Sequence, residues 1–180
     1  MNILMILVPD AGQMSRTLRL ERFLGPYYAF REAGADIAVA SPDGGVAFDR
    51  SSPLDGVPPR LSERFAADRE ARESVLDTLR LEQVFTEDFA AAFCVGVSGP
   101  LWGAAAAELT AGTLLSRFLA CGKPVASIPS PTSVAPRGAA DGVLISADAP
   151  GSAEAAAYAL LAALRAPYSS DPRAPGPTSP

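Results

Sequence analysis

The chain has 180 residues, 48% of them hydrophobic and 19% charged, which fits one soluble globular domain with a sizeable core. A net charge of -5 leaves no basic stripe to neutralise phosphates and argues against nucleic acid as a partner. Histidine is absent, which removes the commonest general base and metal ligand, and two cysteines are too few for a disulfide scaffold or a thiolate metal site. No metal and no cofactor is therefore expected.

Ile3, Leu4, Met5, Ile6, Leu7 and Val8 form an unbroken apolar run closed by Pro9 and Asp10, the pattern of a strand buried on both faces of a parallel sheet. The run is short, lacks a basic leader and has no cleavage-type residues after it, so it reads as a strand and not a signal peptide. No apolar run reaches the length of a membrane span, and a cytoplasmic protein is the default. Residues 18–33 show helical spacing through Leu20, Phe23, Leu24, Tyr27, Tyr28 and Phe30, with Pro26 predicting a kink or a break. Gly34 is a natural helix stop, and Ile37 to Ala40 reads as the next strand.

Residues 41–45 carry turn chemistry, and residues 46–60 read as an irregular surface loop. Residues 61–81 are charged and helical in pattern, with Phe65, Val75, Leu76 and Leu79 as contact residues. Ala92, Phe93, Cys94 and Val95 return to a buried strand that ends in Gly96, Val97 and Ser98. A helix over residues 108–120 follows, with Leu114, Leu115, Phe118 and Leu119 on one side. Residues 125–128 form a strand that runs into Pro129 and Ser130, residues 142–146 form a last short strand, and residues 152–164 form an Ala-rich helix. The Pro/Ser-rich stretch 167–180 is expected to be a disordered tail after a domain spanning 1–166.

Strands alternating with helices predict an α/β fold: a single domain with a mostly parallel twisted sheet and helices on both faces. In such sheets ligands bind outside the carboxyl ends of the strands. The turns at Pro9–Asp10, Gly96–Val97–Ser98 and Pro129–Ser130 are therefore expected to converge on one pocket.

Several segments together resemble the ThiJ/PfpI superfamily, the class I glutamine amidotransferase-like proteins, and most closely its small bacterial Hsp-type branch. Leu20 through Ile37 looks like that branch's L-E-E-x-x-x-P-Y-Y-x-F-x-x-A-G-A-x-V segment. Ala40 through Gly45 matches its A-S-P-x-G-G turn, and residues 64–89 follow its charged helix. Gly99, Pro100, Leu101 and Trp102 resemble a G-P-M-W, and Gly122 through Ala126 resemble the lead into A-V-C-H-G-P. The match covers roughly the first three quarters of the chain and implies a flavodoxin-like sheet and a homodimer.

The chain departs from the family wherever the chemistry lies. The nucleophilic Cys falls on Pro129, which has neither a reactive side chain nor a backbone N–H, and the His after it falls on Ser130. The Glu facing the thiol falls on Arg22, with Glu21 one step away, and the Gly-Gly of the oxyanion site becomes Gly96–Val97. Cys94, inside an apolar strand, reads as a small buried hydrophobe, and Cys121 as a packing or surface residue. The family's hydrolase, glyoxalase and deglycase activities are not expected.

What remains are Glu21 and Asp10 as carboxylates that could move a proton, with Ser130, Thr132 and Ser133 as hydroxyls at a helix start. Arg22, Gly96, Val97, Ser98 and Pro129 complete the candidate ligand-binding set. Each has a plainer reading: N-capping for the hydroxyls, solvated acids for Asp10 and Glu21, an exposed Arg22. Trp102, Tyr27 and Tyr28 read as core or dimer contacts before ligand walls. Two functions stay open. One is a cysteine-independent, cofactor-free enzyme acting on a small carbonyl-containing metabolite by elimination, isomerisation, hydration or cyclisation. The other is a catalytically inactive binding, regulatory or chaperone-like dimer. High Ala, Arg and Pro usage suggests a GC-rich bacterial genome and a place in specialised metabolism.

Overall fold

The computed structural model describes residues 1–8, 20–45, 57–95, 106–128, 144–146 and 153–165. In chain order these are β1 (Asn2–Leu7), α1 (Leu20–Glu32), β2 (Asp36–Ser41), α2 (Pro59–Ala67), α3 (Arg69–Leu76), β3 (Leu79–Arg80), β4 (Ala91–Val95), α4 (Ala106–Ala120), β5 (Val125–Ile128), β6 (Leu144–Ser146) and α5 (Ala153–Arg165). Two short 3-10 turns, Leu81–Gln83 and Thr86–Asp88, lie between β3 and β4. The six strands form one sheet in the order β3-β2-β1-β4-β5-β6, and every pairing is parallel.

Side-chain alternation along β1 divides the core into two layers. Ile3, Met5 and Leu7 face a cluster with Phe23, Tyr27 and Phe30 of α1, Phe65 of α2, Val75 of α3 and Leu160 of α5. Leu4, Ile6 and Val8 face the other way, against Leu115, Phe118 and Leu119 of α4 and Leu81 and Val84 of the connecting turns. Phe30 and Phe93 join α1 to β4 edge to face, with ring centroids 5.3 Å apart and both side chains fully buried.

Helix ends explain two glycines. At Gly34 (φ 75°) the Gly34 N–H donates to Arg31 O and the Ala35 N–H to Phe30 O, both at 3.0 Å. At Gly122 (φ 71°) the Gly122 N–H donates to Leu119 O and the Lys123 N–H to Phe118 O. Both are Schellman stops, in which glycine takes a left-handed backbone and satisfies carbonyls the helix leaves open.

Three expectations change. α1 passes through Pro26 without a break; the loss of one helical N–H is tolerated where the flanking residues Leu24, Tyr27, Tyr28 and Phe30 are anchored in the core. Residues 61–81 are two helices and an edge strand rather than one helix. Asp68 takes an extended backbone (φ -88°, ψ 101°) and its Oδ1 accepts from the Ala71 N–H at 3.0 Å, capping α3 and ending α2. Leu79, expected as a contact residue, is exposed on β3.

The paired helices are held to α1 by ions. The Arg31 guanidinium forks onto the Glu70 carboxylate at 2.7 and 2.9 Å. Arg64 pairs with Glu32 at 2.6 Å and lies 3.8 Å from the centre of the Tyr28 ring.

Candidate functional site

The sheet order reverses between β1 and β4, because the chain leaves β1 toward β2 on one side and returns to β4 on the other. That is the switch point where open α/β sheets leave a crevice at their carboxyl edge. The last residues of the three central strands lie in one row: Leu7 is opposite Val95, and Val95 is opposite Ile128. The Val8 N–H donates to Val95 O at 2.9 Å and carries β1 just past that row. With neighbouring strands about 4.8 Å apart, the three ends fall within about 10 Å. The three strands thus end side by side, while the turns expected to converge there, from Pro9, Gly96 and Pro129, lie outside the described residues.

Of the residues singled out from sequence, Asp10, Gly96, Val97, Ser98, Pro129, Ser130, Thr132, Ser133 and Trp102 lie outside the described residues. Glu21 and Arg22 stand in the first turn of α1. A helix that follows a parallel strand runs back against it, so its first turn sits at the carboxyl edge, beside the row of strand ends. Arg22 is half-buried with its Nε enclosed, which departs from the plain reading of an exposed arginine.

Neither thiol has the setting of a nucleophile. Cys94 is fully buried on the α4 side of β4, beside Ile6 and Ser127 in the sheet register. Burial pushes its thiol up to about 12, so it carries almost no thiolate at neutral pH. Cys121 is exposed at the end of α4, before β5 begins. It lies at the opposite edge of the sheet, separated from the strand ends by β5 itself, about 10 Å at 3.3 Å per residue.

Tyr27 and Tyr28 are core residues, 2% and 3% exposed, and do not line the carboxyl edge as open platforms. Burial first, with the Asp68 carboxylate adding to it, pushes the Tyr28 phenol up to about 12 and keeps it protonated. Among the described residues no group of three His, Cys, Asp or Glu side chains is placed to hold a metal ion.

Sequence reading passed over Ser127. It is fully buried on β5, one residue before the strand's end, and its Oγ has no hydrogen-bond partner among the described residues. A buried hydroxyl without a partner costs about 1–3 kcal/mol. The signal was a lone serine inside the apolar run Val125, Ala126, Ser127, Ile128, legible only once the strand is known to be covered on both faces. Ser127→Ala is expected to stabilise the protein by about 1 kcal/mol, seen as a higher urea midpoint with an unchanged slope. A lower midpoint would mean that the hydroxyl is satisfied.

No protein-family model matches the chain, and no curated protein matches it by sequence. Solved structures do share its fold. Francisella tularensis Rapid Encystment Protein 24 KDa superposes with a TM-score of 0.62 at 16% identity, over 91% of this chain and 98% of that one. Glyoxalase III from Candida albicans superposes with a TM-score of 0.61 at 13% identity, over 90% and 96% of the two chains. A ThiJ/PfpI domain protein from Brachyspira murdochii gives 0.52 at 15% identity, over 91% and 95%. The chain therefore shares the α/β fold of these structures, a ThiJ/PfpI domain protein among them.

No helix among the described residues is long and apolar enough to cross a membrane.

Proposed function

We propose that this protein is a cysteine-independent, cofactor-free enzyme that acts on a small carbonyl-containing metabolite by acid–base chemistry: elimination, isomerisation, hydration or cyclisation. The observation that supports it is the state of the two thiols: one is sealed in the core and held protonated, the other sits at the wrong edge of the sheet. The site at the carboxyl edge then works without a covalent step. Backbone amides near Val97 and Ser130 polarise the substrate oxygen, Glu21 or Asp10 moves the proton, and Arg22 holds an anionic group. Ser98, Thr132 and Ser133 supply hydroxyls around it, with Gly96 and Pro129 shaping the turns. The glyoxalase activity named for one fold relative is not carried over, since Pro129 stands where the resemblance puts the nucleophile. The proposal includes a homodimer in the cytoplasm of a bacterium, serving specialised metabolism.

The test is a panel of small aldehydes, ketones and enones followed by proton NMR, with the native chain and the Cys94→Ala/Cys121→Ser variant side by side. Turnover is expected to be the same within about twofold, although Cys94→Ala costs about 1 kcal/mol of stability in the packed strand. Loss of turnover in the folded variant overturns the reading. Binding without turnover across the panel replaces it with the non-catalytic, small-molecule-binding dimer.

A further inference from the structure

Ser127 carries a hydroxyl that the fold does not use. Ser62, Ser74 and Ser116 each donate to a carbonyl oxygen three or four residues back, at 2.8, 2.8 and 2.7 Å, and Ser41 meets Thr78 at 2.7 Å. A strand offers no such carbonyl, because those of β5 point along the sheet to β4 and β6. Ser127 is fully buried, and its Oγ has no partner among the described residues. An alanine would fill the same place without an unpaired polar group.

Ser127 shares a face of β5 with Val125 and lies opposite Cys94, both of which belong to the layer packed under α4. It stands one residue before Ile128, so about 3.3 Å below the row in which Leu7, Val95 and Ile128 end the central strands. An oxygen at hydrogen-bonding distance, about 2.8 Å above Oγ, is nearly level with that row. On the same side α4 rises past the row. Its 15 residues span about 22 Å, against about 13 Å for the 4 residues of β5, and the two meet at the amino edge through the Gly122 turn. The hydroxyl therefore lies at the foot of the α4 wall, just beneath the carboxyl edge.

We infer that Ser127 is a substrate-binding residue whose hydroxyl takes a second oxygen of the substrate, which makes the substrate a hydroxy- or oxo-substituted carbonyl compound. This rests on the carboxyl edge being the site of the proposed chemistry. Ala92, Cys94 and Ala111, in the same layer, are small and fully buried, so admitting one oxygen asks for rotation of a side chain such as Leu115 and not for movement of a strand. Burial makes the hydroxyl selective, because an analogue without that oxygen leaves it unpaired. The ligand-free protein is then less stable than an alanine would make it, the usual trade at a binding site.

The test is an amide NMR titration of the full native chain and of Ser127→Ala with hydroxyacetone and with butanone, which match in shape and differ by a hydroxyl against a methyl. Hydroxyacetone is expected to shift the Ser127 and Ile128 amides and to bind the native chain about 5-fold tighter than Ser127→Ala, the effect of one neutral hydrogen bond. Butanone should bind the two alike. Equal affinity of hydroxyacetone for both chains overturns the inference, and so does the absence of any shift at these amides. A long-lived water in Overhauser contact with Ser127 that stays in place under saturating hydroxyacetone also overturns it, since the partner is then structural water. The readout is binding, so an absence of turnover across the carbonyl panel removes the acid–base enzyme without deciding this result.

Discussion

Replacing Glu21 with Gln, or Asp10 with Asn, is expected to lower turnover of the protein's substrate by about 10²–10⁴-fold for whichever carboxylate is the base. Each amide keeps the size and hydrogen-bonding reach of the acid and removes only its ability to take a proton. Gln is as good a helix former as Glu, so the first turn of α1 survives the change. Arg22→Gln separates proton transfer from binding: as a charge that holds an anionic group, Arg22 should raise KM with a smaller effect on kcat. If neither Glu21→Gln nor Asp10→Asn moves kcat by more than about twofold, no acid–base role remains for them. The proton transfer then belongs to another group at the carboxyl edge.

The strands that frame the carboxyl edge are the most legible part of the fold. Short apolar runs bounded by turn residues are legible as strands buried on both faces, and β1, β4 and β5 lie within a residue or so of their expected places. Gly34 and the periodicity around Phe23 and Phe30 placed α1 equally well. The charged stretch around Asp68 was harder. An aspartate in a run of Arg and Glu looks like one more solvated helix position, and only its bond to the Ala71 N–H shows that it ends one helix and starts another. β3 left no signal, since both its side chains are exposed and its two residues cannot alternate. Ser127 was missed for a related reason: a hydroxyl becomes costly only when the neighbours that exclude water are known.

The segments that carry the family resemblance turn out to be scaffold. The Pro-Tyr-Tyr-x-Phe stretch buries Tyr27, Tyr28 and Phe30 between α1 and the sheet. In the Ser41-Pro42-Asp43-Gly44-Gly45 turn, the Ser41 and Thr78 hydroxyls meet at 2.7 Å, and Thr78 also donates to Gly45 O at 2.9 Å. Gly44, at φ 71°, leaves room where a Cβ would come within 2.6 Å of Arg80 Cγ and 3.2 Å of Thr78 O. These positions keep the fold whatever the site does.

Lys123 gives the sharpest test of that division. It follows the Gly122 stop of α4, and its Nζ donates to Thr86 O and to Phe89 O, each at 2.6 Å, with Glu87 O further off at 3.5 Å. One ammonium thus gathers the carbonyls of the 3-10 turn that leads into β4, and joins the start of β5 to it at the amino edge of the sheet. Hydrogen bonds to a charged donor contribute about 1.5–3 kcal/mol each, and water recovers part of that when the donor is removed, so Lys123→Met is expected to cost about 2–4 kcal/mol. Lys123→Arg should recover little, because a planar guanidinium cannot point three donors into so compact a set of carbonyls. The cost should appear as a lower urea midpoint with the slope unchanged. Turnover per folded molecule should stay at the native level, because β4 and β5 run their full length between this clamp and the row of Leu7, Val95 and Ile128. A folded Lys123→Met protein that has lost turnover would place Lys123 in the chemistry, and the separation of frame from site would fail with it.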